Sequence, residues 1–243
     1  MTMEPKAKRR WKRAQLSERK YHQRFTEDRP NLSMEKSNED RKYFLERYSV
    51  DIDALLSHKS CLEIGGGPFG SNLVQRLCQR VNCKVVSIDP LPALARPSHT
   101  GQSLQLIRGI GEFLLFKDAS FDIVLCSNVL DHVITPVEVL KEIKRVLAHG
   151  ASLFLWVHSY KIPKPMLRLL SLFDSPHPHH FSPQELILML EREGYKVVFH
   201  RFTRPKLSIR AWVKASNWLS AVKYLTAYIF FNIFESSFCI TRP

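Results

Sequence analysis

Short apolar runs alternate with amphipathic segments along most of the chain, and this alternation predicts an α/β fold. The apolar runs predict seven strands, at residues 60–64, 84–88, 104–108, 121–126, 151–157, 195–202 and 237–241. Apolar residues at helical spacing predict helices at residues 41–56, 71–80, 136–147 and 183–193. Continuous apolar strands separated by helices are typical of a mostly parallel sheet with helices on both faces. We therefore predict a seven-stranded sheet of this kind.

Two segments outside this alternation define the predicted domain organisation. Residues 1–40 are polar and charged without sustained apolar periodicity, so we predict a basic, partly flexible N-terminal segment. Residues 41–243 form one domain, which carries an aromatic helical insertion at about 207–234 before the last strand. The insertion is predicted to pack against the domain. Within the domain, Ser182-Pro183-Gln184-Glu185 is a capping box that predicts where the last regular helix begins.

The chain is basic, and the excess lies at its two ends. Lys and Arg number 36 against 23 Asp and Glu, a formal charge of +13. This favours anionic partners such as nucleic acid, phosphorylated substrates or an acidic membrane surface, although solubility alone explains it equally well. Five cysteines without metal-ligand spacing predict reduced, buried thiols. With no signal sequence and no apolar run long enough to span a membrane, we predict a cytoplasmic protein.

A glycine-rich loop after the first strand is the strongest ligand-binding signal. Gly65, Gly67 and Gly70 allow a tight turn, close approach of the backbone to a ligand, and anion binding at the following helix. Their spacing also fits a dinucleotide. Glu63, two positions before the loop, instead favours a cationic ligand such as S-adenosylmethionine. Asp89 ends the second strand, where a carboxylate can accept both ribose hydroxyls.

Four segments taken together resemble class I S-adenosylmethionine-dependent methyltransferases, in the small-molecule branch called methyltransferase type 11. They are the E-x-G-x-G loop with the acid after the second strand, the L-x-F-x-D-x-S-F-D segment, V-L-x-H-V and R-V-L-x-x-G, at residues 63–67 with Asp89, 114–122, 129–133 and 145–150. The resemblance covers roughly residues 59–157, with weaker likeness to residue 202. It implies a Rossmann-like fold and S-adenosylmethionine as cofactor.

The resemblance also assigns binding roles along the cavity. The amino-acid end of the cofactor is assigned to Glu63, Gly65 and Gly67. The ribose is assigned to Asp89, the border of the adenine to Ile110, Gly111 and Glu112, and the methionine end to Asn128.

Histidines are the candidate catalytic residues on the acceptor side. His132 follows the fourth strand and is a candidate general base, or it braces the loop. His179 and His180, in the connection after the fifth strand, are candidates for holding or deprotonating a hydroxyl. The prolines and close spacing of that connection do not favour a tetrahedral metal site, and we predict no metal.

We therefore predict methyl transfer to a small-molecule acceptor, at a hydroxyl oxygen first and at nitrogen or carbon as alternatives. A glycan or lipid-linked acceptor, with peripheral contact to an acidic membrane through residues 207–234, is one alternative. A nucleic-acid methyltransferase using the basic N-terminus is a second alternative, and a non-catalytic binding module is a third.

Overall fold

The structure is a computed structural model that describes residues 5–24, 41–42, 44–67, 81–91, 104–174, 177–204 and 233–242. Its strands are β1 (Ser60–Ile64), β2 (Lys84–Asp89), β3 (Leu104–Arg108), β4 (Phe121–Ser127), β5 (Leu147–Tyr160), β6 (Lys196–Thr203) and β7 (Ile233–Thr241). They form one sheet in the order β3-β2-β1-β4-β5-β7-β6. Strands β1 to β5 pair in parallel, and β7 is antiparallel to both of its neighbours. The predicted seven-stranded, mostly parallel sheet is confirmed.

Helices cover both faces of the sheet. They are α1 (Pro5–Arg24), α2 (Ile52–Leu56), α3 (Pro136–Val146), α4 (Lys164–Phe173) and α5 (Pro183–Arg192). Residues 44–48 are also helical. The predicted capping box opens α5: Ser182 Oγ accepts from the Glu185 backbone N–H, and the Glu185 carboxylate accepts from the Ser182 backbone N–H.

The core has two halves because successive strand residues point to opposite faces of the sheet. Leu62 packs in the cluster that contains Leu140 of α3 and Leu186 of α5. Its neighbour Cys61 packs in the cluster that contains Phe44 and Ile52. All six residues are at most 2% exposed. Strand β1 is therefore covered on both faces, as is typical of a parallel sheet.

The chain changes direction across the sheet at β1. It runs outward from β1 to β2 and β3, and then returns to β4 on the other side of β1. In open α/β sheets, ligands bind beyond the carboxyl ends of the strands at such a switch point. The fold therefore directs attention to the loops that follow β1, β2 and β4.

Three predictions about helices are corrected. The single helix predicted at 41–56 is interrupted, because Ser49 adopts a φ of 58° and Asp51 then caps α2. Helix α1 forms within the segment that showed no sustained apolar periodicity. Helix α4 was not predicted. The prolines at its start obscured the helical pattern in the sequence. The helix has a short apolar face on which Leu167 and Leu170 are buried.

Further differences concern the C-terminal part and the cysteines. The insertion predicted at 207–234 lies outside the described residues except for its last two positions, which belong to β7. Cys61, Cys126 and Cys239 are buried free thiols, as predicted. Cys83 is disulfide-bonded, so the prediction of reduced thiols is wrong there. Sequence spacing did not reveal this bond because a disulfide depends on proximity in space. Among the described helices, none has the length and apolar character that crossing a membrane requires.

Candidate functional site

A cavity of about 530 Å³ opens at the carboxyl ends of the central strands. This is within the range of cavities that bind small molecules and cofactors, about 300–1,000 Å³. The loops after four strands supply most of its wall, through Gly65, Gly66, Gly67, Asp89, Pro90, Leu91, Gly109, Ile110, Gly111, Glu112, Ser127, Asn128 and Val129. Helix α1 supplies much of the remaining wall, through Trp11, Gln15, Ser17 and Glu18.

The glycine loop after β1 has the tight geometry that its sequence predicted. Gly65 and Gly67 have φ angles of 78° and 73°, in the left-handed region that favours glycine. The Gly65 backbone N–H donates to the Ile88 carbonyl at 2.8 Å. A Cβ atom on Gly65 would lie 2.1 Å from Val129 Cγ2. A side chain at this position is therefore excluded both by backbone conformation and by space.

Asp89 connects the end of β2 to that loop. Its Oδ2 accepts a hydrogen bond from the Gly67 backbone N–H at 2.9 Å, and its Oδ1 accepts from the Leu91 backbone N–H at 2.8 Å. Each carboxylate oxygen can accept more than one hydrogen bond. Asp89 therefore lies on the cavity wall in a fixed orientation and retains acceptor capacity for hydroxyl groups.

Glu63 lies deeper than its predicted role requires. Its side chain is buried, and Ser87 Oγ donates to Glu63 Oε2 at 2.8 Å. These two residues are partners in the pairing of β1 with β2. Glu63 is absent from the described residues that line the cavity. Its hydrogen bond joins β1 and β2, the two strands whose ends carry the glycine loop and Asp89. Direct contact between Glu63 and a ligand stays a prediction.

The loop after β3 borders the cavity where the adenine contacts were predicted. Ile110, Gly111 and Glu112 all line it. A Cβ on Gly111 would meet Val139 Cγ1 at 3.2 Å, so the loop packs tightly against α3. The Glu112 carboxylate accepts from the backbone N–H groups of Ile134 and Thr135 at 2.6 and 3.1 Å. Glu112 therefore also fixes the loop that leads into α3.

Asn128 takes an unusual conformation directly after β4. Its φ is 56°, and its backbone N–H donates to the Trp156 carbonyl at 2.8 Å. Its Oδ1 is buried and has no hydrogen-bond partner among the described residues. Because a buried polar atom without a partner is costly, this atom is suited to receive a ligand donor from the cavity.

The three candidate catalytic histidines have different positions. His132 lies on the cavity wall. His179 does not line the cavity; its Nε2 donates to the carbonyls of Val133 and Ile134 at 3.0 and 3.1 Å, and burial lowers its pKa. The His180 side chain is 3% exposed and hydrogen-bonds Asp174 Oδ2 at 3.0 Å. The structure thus gives His179 and His180 bracing contacts, away from the cavity.

His177 takes the place on the cavity wall that was predicted for its neighbours. Its Nδ1 hydrogen-bonds the Asp174 carboxylate at 2.9 Å, and its ring centroid lies 4.6 Å from that of His132. Burial lowers the pKa of His177, but the hydrogen bond to Asp174 and the charge of Asp131 outweigh burial and raise the pKa to about 9. The sequence indicated that a histidine of this connection contributes to the site, but not which of the three lines the cavity.

Helix α1 was missed as part of the site. Glu18 Oε1 lies 3.6 Å from His132 Nδ1, and an Arg10 guanidinium nitrogen donates to the His177 carbonyl at 3.4 Å. Ala14, between them on the helix, is fully buried. Trp11 and Glu18 are an aromatic and an acidic residue in a helix rich in basic residues, and this contrast is a sequence signal for the face.

A family model for a methyltransferase domain matches residues 35–200, which is more than half of the chain. The chain belongs to this methyltransferase family. The class I S-adenosylmethionine-dependent methyltransferase predicted from the motifs is thereby confirmed. The same findings decide against the dinucleotide alternative.

Curated relatives agree with this family over part of their length. The chain is 35% identical over 131 residues to the thiol S-methyltransferase TMT1B of Mus musculus, an alignment covering 51% of this chain and 52% of that protein. It is 28% identical over 158 residues to a ubiquinone biosynthesis O-methyltransferase of Pseudoalteromonas translucida, covering 58% and 65% respectively. The chain therefore spans about half of the first relative and less than two thirds of the second.

Solved structures agree on the fold. A methyltransferase structure from Bacillus halodurans superposes with a TM-score of 0.63 at 20% identity, over 79% of this chain and 96% of that one. A geranyl diphosphate methyltransferase solved with S-adenosylmethionine superposes with a TM-score of 0.68 at 13% identity, over 85% of each chain. None of these comparisons supports contact with nucleic acid or with lipid.

The cavity of this methyltransferase fits the cofactor that its family implies, S-adenosylmethionine. Gly65, Gly66, Gly67 and Gly111 line the cavity without side chains, so a ligand can approach the backbone there. Asp89 offers acceptor oxygens on the wall, and the buried Oδ1 of Asn128 lacks a partner among the described residues. These features suit a nucleoside with hydroxyl groups at one end and an ammonium donor at the other.

Proposed function

We propose that this chain transfers the methyl group of S-adenosylmethionine to a small molecule, at an acceptor atom that must lose a proton. A hydroxyl oxygen is the first candidate and a thiol sulfur the second. The observation that carries the proposal is the presence of two histidines, His132 and His177, on the cofactor cavity wall close to Asn128.

The cofactor half of the proposal depends on the strand ends. Asp89 would accept the ribose hydroxyls, and Ile110 and Gly111 would border the adenine. The amino-acid end would meet the glycine loop, with Asn128 beside the methionine. When bound, S-adenosylmethionine supplies a methyl group on a positively charged sulfur. The residues of the chain then need only orient this group towards the acceptor and exclude water.

The acceptor half depends on removing one proton. A hydroxyl or thiol keeps its proton at neutral pH, whereas its conjugate base is the effective nucleophile. The His132 side chain is 13% exposed, and the carboxylates of Glu18 and Asp131 lie 3.6 and 3.8 Å from its two ring nitrogens. Carboxylates stabilise an imidazolium ion, so His132 is suited to take up the proton while keeping its orientation.

Two relatives support the two candidate atoms separately. The similarity to an O-methyltransferase supports oxygen, and the similarity to a thiol S-methyltransferase supports sulfur. A thiol, with a pKa of about 8.5, needs little help to ionise, whereas a phenol with a pKa of about 10 needs more. The two acceptors therefore predict different sensitivity to the loss of His132.

The test uses the purified chain with S-adenosylmethionine and matched panels of phenols, catechols, alkyl thiols and primary amines. Mass spectrometry measures S-adenosylhomocysteine and the methylated product. We expect turnover with the oxygen or sulfur panel. The His132→Ala variant should slow methylation of phenols more than that of thiols, and His200→Ala, an exposed histidine on β6, should change neither. Methylation of amines alone would contradict the proposal.

A further inference from the structure

Three side chains with metal-binding atoms converge at the acceptor end of the cavity. The ligand atoms of Asp131, His132 and His177 all lie within 4.8 Å of one another. We propose that they bind one divalent metal ion of the zinc type, with an open coordination position facing the cavity. Its role in activating the acceptor depends on the proposed function, whereas its binding does not. The prediction of no metal rested on residues 174–180 alone. The fold brings Asp131 and His132 close to His177.

The carboxylate of this cluster is deeply buried. Asp131 is 2% exposed, and its Oδ1 has no hydrogen-bond partner among the described residues. His132 Nε2 is 3.8 Å from that oxygen, which is too far for a hydrogen bond. Buried charges normally pair or coordinate metals, so a cation between Asp131 Oδ1 and His132 Nε2 would remove the cost of burying that carboxylate.

A neighbouring carboxylate fixes the orientation of His177. The Asp174 carboxylate hydrogen-bonds His177 Nδ1 at 2.9 Å, which leaves Nε2 as the nitrogen available to a metal. Histidine ligands almost always donate their other ring N–H to a carboxylate or carbonyl group in this way. His180 Nε2 holds the same carboxylate at 3.0 Å, so Asp174 itself is fixed. Metal binding displaces the Nε2 proton of His177, as it does for any histidine ligand.

The ligand set itself suits zinc. Two histidines and one carboxylate are a known set for catalytic zinc, which keeps its fourth position open for water or substrate. Imidazole nitrogens favour zinc over magnesium or calcium, which prefer oxygen ligands. Zinc bonds of about 2.0–2.1 Å would draw ligand atoms to about 3.4 Å apart, so the three side chains must close by side-chain rotation. His132 and His177 both line the cavity, so the open position would face the cavity.

With a metal bound, His132 would be a ligand, so the metal and not the imidazole would activate the acceptor before methyl transfer. The acceptor oxygen or sulfur would bind the open position, and the lowered pKa of its proton would let that proton leave to solvent. The resulting anion would form a bond to the methyl carbon of S-adenosylmethionine. The electrons of the broken carbon–sulfur bond would stay on sulfur and give neutral S-adenosylhomocysteine. Charge and atoms balance without an oxidant or reductant.

The test measures metal binding directly. The full chain is stripped with a chelator and titrated with Zn²⁺ in competition with a chromophoric chelator, and Mg²⁺ is titrated in parallel. We expect one Zn²⁺ per chain and no comparable binding of Mg²⁺. Asp131→Asn, His132→Ala and His177→Ala should each weaken Zn²⁺ binding by about 100-fold, and Asp174→Asn by about 10–100-fold because it only orients His177. His149→Ala, an exposed histidine elsewhere on the sheet, is the matched control.

Thermal unfolding of each variant without metal identifies changes that merely unfold the chain. The proposal is overturned if folded wild-type protein binds no Zn²⁺, or if the ligand variants bind it as tightly as His149→Ala does. The methyl-transfer assay is run separately on the stripped and zinc-loaded protein. Zinc binding without turnover would leave the metal site intact and count against the proposed function. Full turnover in stripped protein that binds no zinc would overturn the metal site and support the proposed function.

Discussion

The backbone N–H of Gly67 donates to Asp89 Oδ2 at 2.9 Å and thereby joins the glycine loop after β1 to the end of β2. The same carboxylate receives the Leu91 N–H through its other oxygen. One side chain therefore fixes the loop and offers acceptor atoms to the cavity. In consequence, the shape of the cofactor site and its affinity for a nucleoside depend on the same residue.

Replacing Asp89 tests this double role. Asp89→Ala should weaken binding of S-adenosylhomocysteine by at least about 10–100-fold, since it removes charge-assisted hydrogen bonds worth about 1.5–3 kcal/mol. Isothermal titration of the purified variant measures the change. Asp118→Ala is the control, because Asp118 is an exposed acid paired with Arg145 away from the cavity. Equal affinities of the two variants would remove Asp89 from the site.

Replacing Gly65 tests whether the loop is limited by space. Gly65→Ala places a methyl group 2.1 Å from Val129 Cγ2 in a backbone with φ of 78°. Gly150→Ala is a matched control, since Gly150 has a φ of 73° but nothing within 4 Å of its added Cβ. In both variants, placing alanine in a left-handed backbone conformation costs about 1–2 kcal/mol. Only Gly65→Ala adds about 1–3 kcal/mol of overpacking.

Urea denaturation measures the free energy of unfolding of the Gly65→Ala and Gly150→Ala variants. We expect Gly65→Ala to lose more stability than Gly150→Ala, and only Gly65→Ala to lose affinity for S-adenosylhomocysteine. If the two variants lose the same stability and both keep their affinity, the contact with Val129 does not constrain the loop.

Arg145 has a structural role that its place in the R-V-L-x-x-G motif did not reveal. Its guanidinium donates to the carbonyls of Leu114 and Phe116, each at 2.7 Å, and pairs with Glu142. It thus fastens the segment before β4 to α3. Arg145→Ala should lower the free energy of unfolding by about 2 kcal/mol, because it leaves these acceptors without their charged donor.

Chemical denaturation of Arg145→Ala measures this loss. Lys141→Ala on the same helix is the control, since the Lys141 side chain is 53% exposed and pairs only with Glu138 of the described residues. We expect little change in that variant. A loss for Arg145→Ala no greater than for Lys141→Ala would mean that the contacts to Leu114 and Phe116 contribute nothing to stability.

The sheet was predictable because its signals are local. Strands β1 to β4 begin at the predicted residues, since each is a continuous apolar run between polar breaks. The glycine loop and Asp89 followed from their positions at strand ends. Whether Glu63 reaches the ligand was not predictable, because its hydrogen bond to Ser87 depends on the register of two strands.

The acceptor side was only partly predictable because its contacts are long-range. His177, not His179 or His180, lines the cavity, and the path of a loop with two prolines decides which histidine does so. Glu18 approaches His132 across more than a hundred residues of sequence. Apolar periodicity in α1 is too weak to show that this helix contacts the loops that hold His132 and His177.

Trp11 provides the test of α1 as a wall of the site. It lines the main cavity and a neighbouring one of about 390 Å³, where it lies with Leu91 and Arg108. An aromatic ring beside a nucleoside contributes about 1–3 kcal/mol by stacking, so Trp11→Ala should weaken S-adenosylhomocysteine binding by about 5-fold or more. Leu16→Ala, which alters an exposed residue of the same helix outside the main cavity, should not. Titration of both variants, with helix content checked by circular dichroism, separates loss of the ring from loss of the helix. If Trp11→Ala binds as tightly as the wild type, α1 does not contact the cofactor, and its role is confined to the contacts it makes with His132 and His177.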